Sequence, residues 1–240
     1  KRKLSAEYGA DIKNIDFAME CAKWGVDNYE FNHLQDTFIN SQNVPLPEWA
    51  QNVFYQINIP IQVGDQVRNV PKYQAYFLPR SDPRGMFLGE YTGCCQHPGG
   101  QAEWCALEGQ SSEYSCFFVV EDVSGKKPEI IAQSWVWQSQ SGDGVVFDNV
   151  ESKGLGNRQD DVVQIYKKIA QRIKRYNPEI QQVAIGTNYG KLDLSSFKLC
   201  GNYVEPYTTM EYSDADQQVT VASKKPFRFI TAIDVNRISS

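Results

Sequence analysis

The stretch from Gly144 to Thr187 leaves this chain few folds to choose from. It reads strand, glycine-rich turn, amphipathic helix, strand. The first strand is Gly-Val-Val-Phe-Asp-Asn-Val-Glu at 144–151, and the turn is Ser152-Lys153-Gly154-Leu155-Gly156-Asn157. The helix runs over Gln159–Arg175 and the second strand over Gln182–Thr187. Val162, Ile165, Tyr166, Ile169, Ala170 and Ile173 recur at three- and four-residue steps, so one helix face belongs to a core. Lys167, Lys168, Arg172 and Lys174 fall on the other, solvated face. A glycine turn that opens a helix after a buried strand is a place to hold phosphate. The first amides of the helix have no partner within it, its dipole favours an anion, and glycine lets a ligand approach the backbone.

The segments around this unit read as strands and turns. Cys116–Glu121, Ile130–Gln138 and Val145–Val150 follow one another closely, with turns at Val123–Lys127 and Ser141–Gly144. Val53–Ile59, Tyr73–Leu78 and Met86–Tyr91 are further candidate strands, as are parts of Tyr207–Ala222 and Phe227–Val235. The first fifty residues are helical in pattern. Phe17, Cys21 and Trp24 share one face, as do Phe31, Leu34, Phe38 and Ile39, the second group after Asp27 or Asn28 as a cap. The fold class expected is α+β or α/β, a mixed and mostly antiparallel sheet flanked by helices. An N-terminal helical segment at 1–50 would precede a domain at 51–240.

The order of the central unit resembles the Gcn5-related N-acetyltransferase (GNAT) family, whose pyrophosphate loop is written Gln/Arg-x-x-Gly-x-Gly/Ala. The matching hexapeptide is Glu151-Ser152-Lys153-Gly154-Leu155-Gly156, with both glycines in register and an acid in the first position. The family's strand ending in Asn is matched by Val183–Asn188, and its Gly-Tyr ending by Gly201-Asn202-Tyr203. Phe197 stands where the family often has Tyr. The resemblance spans residues 115–207. It implies acyl transfer from acetyl-CoA, as cosubstrate, to an amine on a small molecule or a protein. The backbone around Val146–Val150 would hold the pantetheine arm. Lys153, Gly154, Leu155, Gly156 and Asn157 would hold the pyrophosphate, and Asn188 would contact the arm or cap the next helix. Asp148 is the candidate base, and Tyr189 or Tyr203 the candidate acid. Asp160 and Asp161 oppose an anion on the first helical turn, unless Lys153 and Arg158 offset them. These departures leave a second reading: a GNAT-like scaffold or interaction domain without catalysis, inside a larger protein.

Thr92–Gly100 brings Cys94, Cys95 and His97 together, with Cys105 following. It lacks the Cys-x-x-Cys knuckle of structural zinc sites, so the residues form a weak metal signal. A thiolate at Cys94 or Cys95 activated by His97 is another reading. The favoured one is a long glycine-rich loop over residues 92–114, packed on Trp104 and able to serve as a lid. Six cysteines in 240 residues suit a reduced, cytoplasmic protein better than a disulfide scaffold. The net charge of −5 argues against nucleic acid as a bulk partner. No apolar run approaches the roughly 20 residues of a membrane helix. The start at Lys1 suggests a piece of a longer chain with neighbouring domains.

Overall fold

The computed structural model describes residues 3, 4, 8, 11–187, 192–195, 197–199, 204, 205, 207, 215 and 218–223. Its centre is a mixed sheet of eight strands: β1 (Phe54–Val63), β2 (Gln66–Phe77), β3 (Ser115–Asp122), β4 (Glu129–Gln138), β5 (Gly144–Phe147), β6 (Gln182–Gly186), β7 (Lys198–Leu199) and β8 (Gln218–Ser223). Their order is β1-β2-β3-β4-β5-β6-β8-β7. Every neighbouring pair is antiparallel except β5 and β6. That parallel pair needs a crossover, and helix α5 (Gln159–Tyr176) supplies it.

Alternation along the central strands sends side chains to two cores. Phe118, Val120, Val136 and Phe147 face α5, whose Val162, Ile165, Tyr166, Ile169 and Ile173 are buried against them. Phe117, Val119, Trp135, Trp137 and Val146 face the opposite layer, beside Leu88, Ala102, Cys105 and Ala106. Because both faces are covered, β3 and β4 read as near-continuous apolar runs. The α5 helix ends at Asn177, whose side-chain amide donates to the Ile173 carbonyl at 2.8 Å. Pro178 follows and disfavours further helix.

At the N-terminus, α1 (Ile15–Trp24) starts on Asn14, whose side chain accepts from the Phe17 amide at 3.0 Å. It stops at Gly25, where φ is 71°. Helix α2 (Asn28–Ser41) is capped by Asp27. The pair builds its own cluster from Phe17, Phe31 and Phe38, which Met86 and Phe87 complete.

Residues 83–111 differ from the expectation. In place of a strand at Met86–Tyr91 there is a 3-10 turn, Pro83–Phe87, running into α3 (Leu88–Thr92). Asp82 caps the turn by accepting from the Arg84 amide at 3.0 Å. Met86 and Phe87 are buried toward the N-terminal helices and Leu88 toward the sheet. A short apolar run buried on all sides carries no period by which to tell strand from helix. The expected loop over 92–114 contains a helix, α4 (Glu103–Ser111). Cys105, Ala106, Gly109 and Gln110 form its buried face. A Cβ on Gly109 would meet the Phe117 ring at 2.4 Å, so this glycine sets how closely α4 lies on β3. The β1–β2 hairpin is also longer than expected. Its outer half, near the Gly64 turn, is exposed on both faces and gives no burial pattern to read.

Candidate functional site

The parallel ladder between β5 and β6 runs from Gly144↔Gln182 to Phe147↔Ile185. Past Phe147 the chain stays on β4. The Asp148 amide donates to the Trp135 carbonyl at 2.8 Å, and Glu151 and Gln133 exchange backbone bonds at 2.9 and 3.0 Å. Between the Val136↔Phe147 and Gln133↔Glu151 pairs, two residues of β4 (134 and 135) face three of the neighbouring segment (148–150). One extra residue is therefore accommodated within Asp148–Val150, a β-bulge where the sheet changes partners. From the α5 side, Ser134 Oγ donates to the Asn149 carbonyl and lies 2.8 Å from the Tyr166 hydroxyl. This pins the bulge. On its other flank a Cβ added to Gly186 would sit 1.8 Å from the Asp148 carbonyl oxygen, so the last residue of β6 has no room for a side chain.

The glycine loop leaves this bulge and opens α5. Gly154 has φ 126° and Gly156 φ 53°, and no atom of the described residues lies within 4 Å of a Cβ built on either. Both glycines supply backbone conformation and leave the space above the loop open. Lys153, Gly154, Gly156 and Asn157 are exposed, whereas the Leu155 side chain is buried. A short 3-10 turn, Gly156–Arg158, leads into α5, and no side chain caps the helix start. Of the two acids in the first turn, Asp161 is paired with Lys72 of β2 at 3.1 Å. Arg158 lies 3.7 Å from Asp122, so the cation that offsets Asp161 comes from β2 and not from the loop.

The predicted residues fall into three groups. Lys153–Asn157 form the exposed loop, with Leu155 contributing backbone only. Val150 is buried in the α5-side core, so only its backbone can meet a ligand. Asp148 is also buried, and the Trp137 indole donates to its Oδ1 at 3.2 Å. Val146 and Phe147 already have β6 as partner, which confines any arm held by this strand to Asp148–Val150. Asn188, Tyr189 and Tyr203 lie outside the described residues, as does Phe227–Val235.

Sequence reasoning missed a polar cluster on the face of the sheet opposite α5. Gln133 is wholly buried there. Its amide nitrogen reaches Gln96 Oε1 at 3.1 Å, Thr92 Oγ1 at 3.4 Å and Cys94 Sγ at 3.7 Å. Its carboxamide oxygen is buried with no hydrogen-bond partner among the described residues. Glu151 is directly opposite Gln133 in the ladder and shares its face, and the Asn149 side-chain amide donates to its Oε1 at 3.0 Å. The available signal was Gln133-Ser134 within a strand otherwise apolar on both faces.

The cysteine–histidine segment holds this cluster in place. A Cβ on Gly89 would lie 2.2 Å from the His97 amide nitrogen, so α3 and the turn are packed backbone to backbone. Burial pushes the Cys94 thiol up to about 11, with the Glu151 charge adding to the effect. Cys94 is thus a neutral thiol at pH 7, and its activation as a thiolate nucleophile is not what this environment supplies. His97 Nδ1 is 2.9 Å from the Pro98 carbonyl oxygen and 3.8 Å from Glu90. Among the described residues no group of three or more His, Cys, Asp or Glu side chains could hold a metal ion. No helix among them is long and apolar enough to cross a membrane. No family model, curated protein or solved structure matches the chain.

Proposed function

We propose that this chain is a GNAT-like acyl-CoA-dependent N-acyltransferase, carrying an acetyl group from acetyl-CoA to an amine. The observation that carries the reading is the junction of bulge, glycine loop and helix start at the end of the parallel β5–β6 pair. An extended ligand bearing amides would align with backbone at Val150, past the Asp148 amide and Asn149 carbonyl already bonded to Trp135 and Ser134 and where the chain has left its ladder with β6. Its phosphates then reach the amides of Gly154–Asn157 and the positive end of α5. The pairing of Asp161 with Lys72 lessens the repulsion that an acid in that turn would exert.

Transfer requires a group that takes the amine proton and another that returns a proton to the leaving thiolate. Asp148, held in one orientation by Trp137, is the candidate base, and Tyr189 the candidate acid. Acetyl-CoA supplies the activated acyl group. The protein aligns it, excludes water and handles the protons. A mixed sheet covered by helices on both faces is what the GNAT resemblance implies, and the sheet here has that form.

The test is calorimetric titration with acetyl-CoA, with CoA in parallel and the Gly154→Asp/Gly156→Asp variant as control. The expected result is micromolar binding by the native chain, lost in the variant through charge repulsion at the loop. Absence of binding at millimolar ligand would exclude the enzyme reading and leave a scaffold of the same shape.

A further inference from the structure

Away from the glycine loop, the free edge of the sheet meets one flank of α5. Strand β1 ends the sheet, and among the described residues it pairs with β2 alone. Proline has no N–H to donate and sits in strands where its nitrogen faces away from the ladder. It occupies one side of both Asn58↔Pro71 and Pro60↔Asn69, so these are pairs without mutual hydrogen bonds. Asn58 and Pro60 therefore turn their backbone groups outward. By the two-residue period Gln56 does the same, and its side-chain amide donates to Asn58 Oδ1 at 2.7 Å on their shared face. Gln56 and Asn58 present two amides and two carbonyls at an open edge, a row that another extended chain completes. Pro60 ends the row.

Tyr55 and Ile57 point the other way and pack against the α5-side core. Beside them α5 carries Lys168, Gln171, Arg172 and Arg175, one stripe at steps of three and four. Together with Tyr55 these residues line a cavity of about 470 Å3. The Arg172 guanidinium lies 5.2 Å over the Tyr55 ring, which holds that cation over the strand. No carboxylate among the described residues forms an ion pair with Lys168, Arg172 or Arg175. Arg175 stands in the last turn, where a cation suits the helix dipole, but Lys168 and Arg172 precede that turn. We infer that this corner binds an acidic peptide segment of a partner protein, added to β1 as a further strand with carboxylates at alternate positions. Alternate residues of a strand are about 6.6 Å apart, and the four-residue step from Lys168 to Arg172 rises about 6 Å. The open edge accepts any extended chain, and the cations select its charge. A second copy of this chain offers no such complement through the same edge, because Phe54–Val63 contains no acid.

The test is titration of the full chain into a fluorescein-labelled seven-residue peptide alternating valine and glutamate, read by fluorescence anisotropy. Three probes accompany it: the same peptide with lysine for glutamate, the glutamate peptide methylated on alternate backbone nitrogens, and an oligothymidylate of equal charge. The glutamate peptide should bind saturably, and the lysine and methylated peptides 10-fold or more weaker. Lys168→Glu/Arg172→Glu should weaken the glutamate peptide 10-fold or more with the melting temperature retained. Hydrogen exchange of the Gln56 and Asn58 amides, followed by NMR, should slow in the complex. Failure of the glutamate peptide to saturate overturns the inference, as does native affinity in the charge-reversed variant. Equal affinity for the methylated peptide would mean attraction by charge without strand addition, and tighter binding of the oligothymidylate would mean a nucleic-acid surface. Either overturns it. If the variant does not fold, the comparison of probes on the native chain decides. None of these outcomes depends on whether acetyl-CoA binds.

Discussion

Replacing Gly186 by alanine tests the strand junction most directly. The added methyl carbon would lie 1.8 Å from the Asp148 carbonyl oxygen, and 2.8 and 2.9 Å from Cα and Cβ of Ala215. The first obstacle is backbone, so no rotamer change relieves it. A normal carbon–oxygen contact needs more than 3 Å, and β6 must therefore move away from β5. Overpacking of this kind costs about 1–3 kcal/mol, and losing the adjoining ladder bond adds about 1 kcal/mol. At roughly 2–4 °C per kcal/mol for a chain of this size, the melting temperature should fall by about 4–16 °C. Differential scanning calorimetry reads the fall, and calorimetric titration should show weaker acetyl-CoA binding. Gly154→Ala is the comparison. No atom of the described residues lies near its Cβ position, so only the strain of φ 126° is felt, on the order of 1–3 kcal/mol. A Gly186→Ala protein that melts within 1 °C of the native chain would refute the argument that β5 and β6 are held at this spacing.

Two further perturbations probe the layers that support the site. Arg80 is buried, and its guanidinium donates to the carbonyls of Gly109, Ser112 and Ser115, joining the end of α4 to the start of β3. Arg80→Leu should destabilise the fold by about 3 kcal/mol or more by leaving buried carbonyls without donors, and an unchanged urea midpoint would refute that role. Burial raises the thiols of Cys94 to about 11 and of Cys21 and Cys116 to about 12, from 9.0. Above pH 9 the unfolded chain releases these protons before the native one does. Stability is therefore full below pH 9 and falls progressively toward pH 12. A melting temperature that stays level from pH 8 to 11 would contradict this.

Helix α5 and strand β6 were legible to within one residue because their periods are strong, whereas the strand expected at 144–151 ends at Phe147, where the bulge begins. Apolar positions of α5 repeat every three or four residues, and the glycines mark its start. Residues 83–111 were not legible, since α4 buries mostly small side chains and α3 is enclosed on several sides. The bulge could not be read at all. It is a property of pairing register, and Glu151 meets Gln133 only once β4 and its neighbour are aligned. For the same reason the polar cluster was invisible. Its members come from positions 92–97, 133 and 149–151, and nothing in their spacing announces that they meet.

The parallel β5–β6 pair also bears on how the site is assembled. Strands β2 to β5 join through antiparallel contacts, and the β3–β4 and β4–β5 connections are short turns that close quickly. The β5–β6 ladder must wait until the whole of α5 has crossed and docked, a closure with a larger entropic cost. The glycine loop acquires its final shape only at that step. Folding intermediates that retain the antiparallel strands would lack the loop's ligand-ready form. Any molecule recognised there would bind only the chain in which β5 and β6 are paired, and would oppose the opening of that ladder.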